Sequence, residues 1–207
     1  MLFADDSQIY VVCRKPSEVV GSLALCIEDI REWMNSNLLV LNDNKSEVVQ
    51  FTSKLKRDGE KLDMFRIGNY DIIPTDTVRN LGVLFQSDGG YSNQINAICK
   101  SAYYSLYRIG KIRSLLDQSC TEKLVHAFIT SKIDYCNSLF IGLPEYELEK
   151  IQSVQNSAAR LVSRSRKYDH LSPIYFNLHW LRVNQRIDFK VILTVLKIVH
   201  NQSPVYL

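Results

Sequence analysis

The sequence predicts an α+β chain in which a strand-bearing first half is followed by an all-helical second half. Period-2 runs of β-branched and aromatic residues, set between turn residues, recur up to Phe85 and then stop. From Tyr91 onward, apolar residues return at helical spacing instead. The charge divides with the pattern: residues 1 to 103 hold 11 Lys/Arg against 14 Asp/Glu, and residues 104 to 207 hold 14 against 8. Gly89-Gly90 is the natural boundary.

Leu2-Phe3 and the run Gln8-Ile9-Tyr10-Val11-Val12-Cys13 flank the polar cluster Asp5-Asp6-Ser7 and read as a β-hairpin, with the acidic pair at its turn. Pro16-Ser17-Glu18 opens a helix with Ser17 as N-cap, and Val20, Leu23, Ile27, Ile30 and Met34 carry its apolar face to about Asn35. Ser46 to Thr52 reads as a strand, as do Phe65-Arg66-Ile67 and Tyr70-Asp71-Ile72-Ile73 around the Gly68-Asn69 turn, and Val78 to Phe85. Lys54 to Lys61 is a charged loop. Helices follow at about Tyr91 to Leu115, Thr121 to Asn137, Glu145 to Ser163 and Val183 to His200. Leu148, Ile151, Gln155, Ala158 and Val162 give the third a clean stripe, whereas Val183 to Val199 is apolar almost all round, a pattern that predicts burial.

With 207 residues, 46% of them hydrophobic and 23% charged, the chain can bury a core, which excludes whole-chain disorder and a disulfide-stapled miniature fold. Apolar runs such as Leu38-Leu39-Val40-Leu41 fall far short of the roughly 18 to 20 residues of a membrane span. Asp5 and Asp6 stand where a signal peptide would be basic, so the expected location is cytoplasmic or nuclear. Cys13, Cys26, Cys99, Cys120 and Cys136 are odd in number, with no C-x-x-C pair, and are expected to be reduced and mostly buried. Phosphate-binding glycine loops and the G-x-S-x-G elbow do not occur, and His170 and His179 lack the spacing of a zinc site.

Two constellations carry possible chemistry. Adjacent carboxylates at a turn, Asp5 and Asp6, suit a hard divalent cation, although a lone Asp-Asp is most often a solvated turn. Tyr104, Arg108 and Lys111 fall on one helical face with Tyr107 and Arg113 nearby, offering cations to phosphates beside flat rings. Arg160, Arg164 and Lys167, with Arg166 adjacent, form a second basic stripe at a helix end, where stabilisation of the helix dipole competes with nucleic-acid contact.

Phe3-Ala4-Asp5-Asp6, a following helix, Leu41-Asn42-Asp43-Asn44-Lys45-Ser46-Glu47 and Val78-Arg79-Asn80-Leu81-Gly82-Val83 make an ordered series. It resembles the reverse transcriptases of non-LTR retrotransposons, of the jockey-like LINE kind. Gln94-Ile95-Asn96, Phe128 to Leu139, Gln152 to Val162 and Leu178-His179-Trp180-Leu181 look like the same family's C-terminal region, so the likeness spans essentially the whole chain. The resemblance implies a truncated polymerase palm over residues 1–88, thumb-like helices over 89–140 and a C-terminal helical region over 141–207. It implies that Asp5 and Asp6 are two of three catalytic carboxylates, holding Mg²⁺ for two-metal transfer from a dNTP, with Lys45 near the triphosphate. RNA template and DNA primer would be the partners. The third aspartate and the fingers belong to a segment that would precede this hairpin, so the chain alone is expected neither to polymerise nor to hold Mg²⁺ tightly. Gly89-Gly90 departs from the family pattern and should loosen the junction. A non-catalytic nucleic-acid-binding module and an inert remnant of a mobile element are the alternatives.

Overall fold

A computed structural model of the chain describes residues 2–3, 6–52, 62–68 and 70–204. The fold is α+β, and it divides into two units, Met1–Gly90 and Tyr91–Leu207.

Three antiparallel hairpins and one long helix make up the described part of the first unit. β1 (Leu2–Phe3) pairs with β2 (Asp6–Ser7), placing Phe3 opposite Asp6. The hairpin is therefore tighter than its composition suggests, and Gln8 to Cys13 is not a strand. That run lies outside the strands, and Tyr10 and Val12 are almost fully exposed. α1 (Val20–Ser36) starts after a 3₁₀ turn at Pro16–Glu18, and its N-cap is Val19 rather than Ser17. α1 packs against β3 (Phe65–Ile67), which pairs with β4 (Tyr70–Ile72). Phe65, Ile67 and Val83 are the buried apolar residues described in this unit.

Ser46 to Thr52 is likewise not a strand. It is tied down by single bonds instead, the Thr75 N–H donating to Val48 O and the Thr52 N–H to Ser87 O, each at 2.9 Å. The segment read as one strand from Val78 to Phe85 is a hairpin, β5 (Thr77–Asn80) with β6 (Val83–Gln86). Its two-residue turn puts Leu81 at φ 45° and Gly82 at φ 84°, the left-handed pair that matches the strand twist of a tight hairpin. Lys54 to Lys61 lies outside the described residues.

The second unit is helical and has one core. α2 (Ser92–Ile112) buries Ile95, Ile98, Ala102, Leu106 and Ile109 along α5 (Glu145–Ser163), which contributes Ile151, Val154, Ala158, Ala159 and Val162. Residues on both sides of position 140 share this cluster. α3 (Gln118–Val125) begins at Asp117, whose carboxylate accepts the Cys120 N–H at 2.6 Å, and so satisfies one of the helix's orphan donors. A π turn at His126–Thr130 joins α3 to α4 (Ser131–Asp134). α6 (Leu171–Asn177) is a short helix that the sequence did not signal, with Pro173 tolerated in its first turn.

α7 (Val183–Val199) differs from its expected burial. Only Val183 and Ile187 are buried, while Phe189, Ile192, Val195, Leu196 and Val199 are between 48% and 68% exposed. A helix that is apolar all round needs neighbours all round; the described residues supply them along its first turns, through α5 and the Asn137–Phe140 turn. The five cysteines are unpaired, but Cys13, Cys26 and Cys120 are exposed rather than buried. No helix among the described residues is long and apolar enough to cross a membrane.

Candidate nucleic-acid interface

Asp5 lies outside the described residues, and Asp6 is an exposed residue of β2 rather than of a turn. Among the described residues, no three His, Cys, Asp or Glu side chains come together as a metal site. Of the expected Asp5–Asp6 pair, the described residues contain Asp6 alone.

Lys45 closes a 3₁₀ turn, Asp43–Lys45, rather than entering a strand, and its side chain is exposed. Its neighbour Asp43 has the better defined role. Arg31 of α1 forks onto Asp43, Nη2 to Oδ1 at 2.8 Å and Nη1 to Oδ2 at 3.1 Å. Gly68, at φ +58°, sits against this pair, where an added Cβ would lie 2.8 Å from Arg31 Nη2. A side chain there would have to displace the Arg31 guanidinium and adopt a φ that glycine takes without strain.

α2 supplies the most coherent surface. Its buried stripe faces α5, and Lys100, Tyr103, Tyr104, Tyr107, Arg108 and Lys111 are all exposed. At 100° per residue these six share an arc of about 140° opposite the core stripe. Tyr104 and Tyr107 are 62% and 61% exposed, and α2 contains no Asp or Glu. Each distal cation is held against a ring four residues earlier, Arg108 Cζ 5.8 Å from the Tyr104 centroid and Lys111 Nζ 4.6 Å from that of Tyr107. Such contacts on a helix surface contribute about 0.5–1 kcal/mol and present charge and ring together. Lys100 and Tyr103 were not singled out in the sequence, although their i, i+3 spacing places them on the same arc.

Arg113 is not part of this face. It is buried, and its guanidinium donates to Leu161 O, Val162 O and Leu116 O at 2.7–2.8 Å, tying α5 to the turn after α2. Burial and repulsion from Arg164 push its pKa down, against the attraction of Asp117.

The second basic stripe is dispersed by the structure. Arg164 is the left-handed residue that ends α5, φ 56°, and its Nη2 donates to Arg113 O and Leu116 O at 3.3 Å. Lys167 is exposed, with its Nζ 5.6 Å from the Tyr168 centroid. Arg160 is only half-buried, and its Nε is enclosed without an acceptor. A stripe on an ideal helix ended because the helix itself ends at Ser163.

Comparison with protein-family models, with curated proteins and with solved structures found no match.

Proposed function

We propose that the chain is a palm-to-thumb portion of an RNA-directed DNA polymerase of the non-LTR retrotransposon kind, and that the outer face of α2 holds the template–primer duplex. The observation that carries the reading is that face: three exposed tyrosines and three exposed cations on one arc of a carboxylate-free helix. Cations along a helix neutralise successive phosphates, and rings beside them add contacts that tolerate any base. The ordered motif series supports the polymerase part of the proposal. Residues 91–207, which carry the face, hold 15 Lys/Arg and 8 Asp/Glu, so the surrounding field favours a polyanion.

A second reading, a non-catalytic nucleic-acid-binding module, is favoured by the helical unit's possession of the face together with its own core. Hybrid binding by wild type, measured together with primer extension on an RNA template in Mg²⁺, tests the proposal. Binding without extension is the expected outcome; extension that Asp6→Asn abolishes would show a polymerase active on its own, and absence of binding refutes both readings.

A further inference from the structure

Among the described residues β1–β2 is a two-stranded sheet, so β2 is an edge strand, and residues 9–13 continue the chain beyond it. No backbone hydrogen bond joins residues 9–13 to another described residue. Their side chains nevertheless alternate: Ile9 and Val11 are 43% and 48% exposed, Tyr10 and Val12 83% and 93%. That period of two is a strand's, and β-branched and aromatic residues favour a strand once a neighbouring one covers them. A row of unpaired N–H and C=O groups on such a segment is a template for a further strand.

The segment is complementary to itself run in the opposite direction. Alternate residues of a strand turn their backbone groups to the same edge, so two copies paired antiparallel must oppose residues whose numbers differ by an even amount. Placing Tyr10 opposite Tyr10 of a second copy sets Ile9 opposite Val11 and Asp6 opposite Arg14, each twice by symmetry. Ile9, Tyr10 and Val11 then fill the centre, and opposite charges, exposed in the single chain, close both ends. Cross-strand apolar pairs and ion pairs are each favourable. A slip of two residues either way sets Asp6 opposite Pro16 or Val12 and loses both ion pairs, so the charges select one register. The pairing uses one edge of each copy and closes at two chains.

We propose that residues 6–14 form a dimer interface, pairing as antiparallel strands with the same residues of a second copy of this chain. The interface is independent of the α2 face, none of whose residues takes part.

Sedimentation of the whole chain at low salt, where exposed ion pairs are least screened, tests it. Wild type is expected to dimerise as its concentration rises. Asp6→Arg alone and Arg14→Asp alone each set like charges opposite one another twice, and each should dimerise about tenfold more weakly. Mixed in equal amounts, the two variants restore opposite charges at both ends, and the mixture should regain wild-type association. Should either variant fail to fold, Tyr10→Lys takes its place: it brings two cations together on the two-fold axis at an exposed position and should weaken the dimer similarly. A wild type that stays monomeric at millimolar concentration, a dimer unaffected by these substitutions, or a mixture no more associated than its components would overturn the proposal.

Discussion

Replacing Arg113 by Met distinguishes an internal clamp from a nucleic-acid contact, and the size of the effect can be worked out from its bonds. The guanidinium makes three bonds, to Leu161 O at 2.7 Å and to Val162 O and Leu116 O at 2.8 Å each. Two of these acceptors belong to the last turn of α5, where carbonyls have no partner within the helix. Hydrogen bonds from a charged donor contribute about 1.5–3 kcal/mol each, so three amount to about 4.5–9 kcal/mol gross. Against this stands the desolvation of the guanidinium, several kcal/mol, which the methionine no longer incurs. The net loss expected is about 2–4 kcal/mol. Urea denaturation followed by tryptophan fluorescence measures it, because Trp180 is 9% exposed within the same unit while Trp33 is 61% exposed and can be replaced by Phe. Arg113→Lys should recover only part of the loss, since an ammonium cannot reproduce the fork. A change under about 0.5 kcal/mol, accompanied by weaker duplex binding, would show Arg113 to be a surface contact and refute the clamp.

Three other outcomes follow from particular residues. Leu81→Asn should stabilise the β5–β6 hairpin by about 0.5–1 kcal/mol, because asparagine tolerates the left-handed φ of 45° that leucine resists; thermal melts of the two proteins check it. Burial pushes the Glu147 carboxyl up, but bonds from Lys150 at 2.8 Å and Ser92 at 2.6 Å, with the Lys150 charge, outweigh it and leave its pKa below the usual value. A carboxylate held low stabilises the fold above its unfolded pKa and loses that contribution as pH falls through the folded one. Glu147→Gln should therefore flatten the acid limb of a stability-against-pH curve, and a limb unchanged in the variant would contradict this. On α7, Ile187→Ala should cost about 2–4 kcal/mol and Ile192→Ala under about 1, since Ile187 is 3% exposed and Ile192 58%; equal losses would mean that the outer face is covered.

Legibility in the sequence varied with how local the signal was. α5 was readable because Ile151, Gln155, Ala158 and Val162 repeat at helical spacing and all four are buried. The Phe65–Ile72 hairpin was readable because Gly68 marks its turn. The β5–β6 turn was not, because leucine at position 81 hides a conformation that turn residues usually announce. Gln8 to Cys13 has the composition of a strand, but β-propensity describes a half-buried pleated surface, and Tyr10 and Val12 in this segment are almost fully exposed. On the candidate site, Tyr104, Arg108 and Lys111 share a face because about two turns of regular α2 carry them. Arg113 lies one residue beyond that helix, where extrapolated periodicity loses its meaning, and there it turns inward. The contacts of Gln152, to the Tyr175 hydroxyl and the Val183 N–H, depend on α6 and α7 arriving from later in the chain, which no local pattern announces.

The central claim is that the outer face of α2 contacts nucleic-acid phosphates, and the salt dependence of duplex binding tests it most directly. Anisotropy of a labelled RNA–DNA hybrid, measured between 50 and 200 mM salt for wild type and for Arg108→Ala with Lys111→Ala, gives two slopes of log affinity against log salt. Each phosphate contact contributes about −0.9 to the slope on B-form duplex, so the double variant is expected to bind every sequence more weakly, with a slope flatter by about 1.8. Identical affinities and identical slopes would show that this face is solvated surface and would contradict the account.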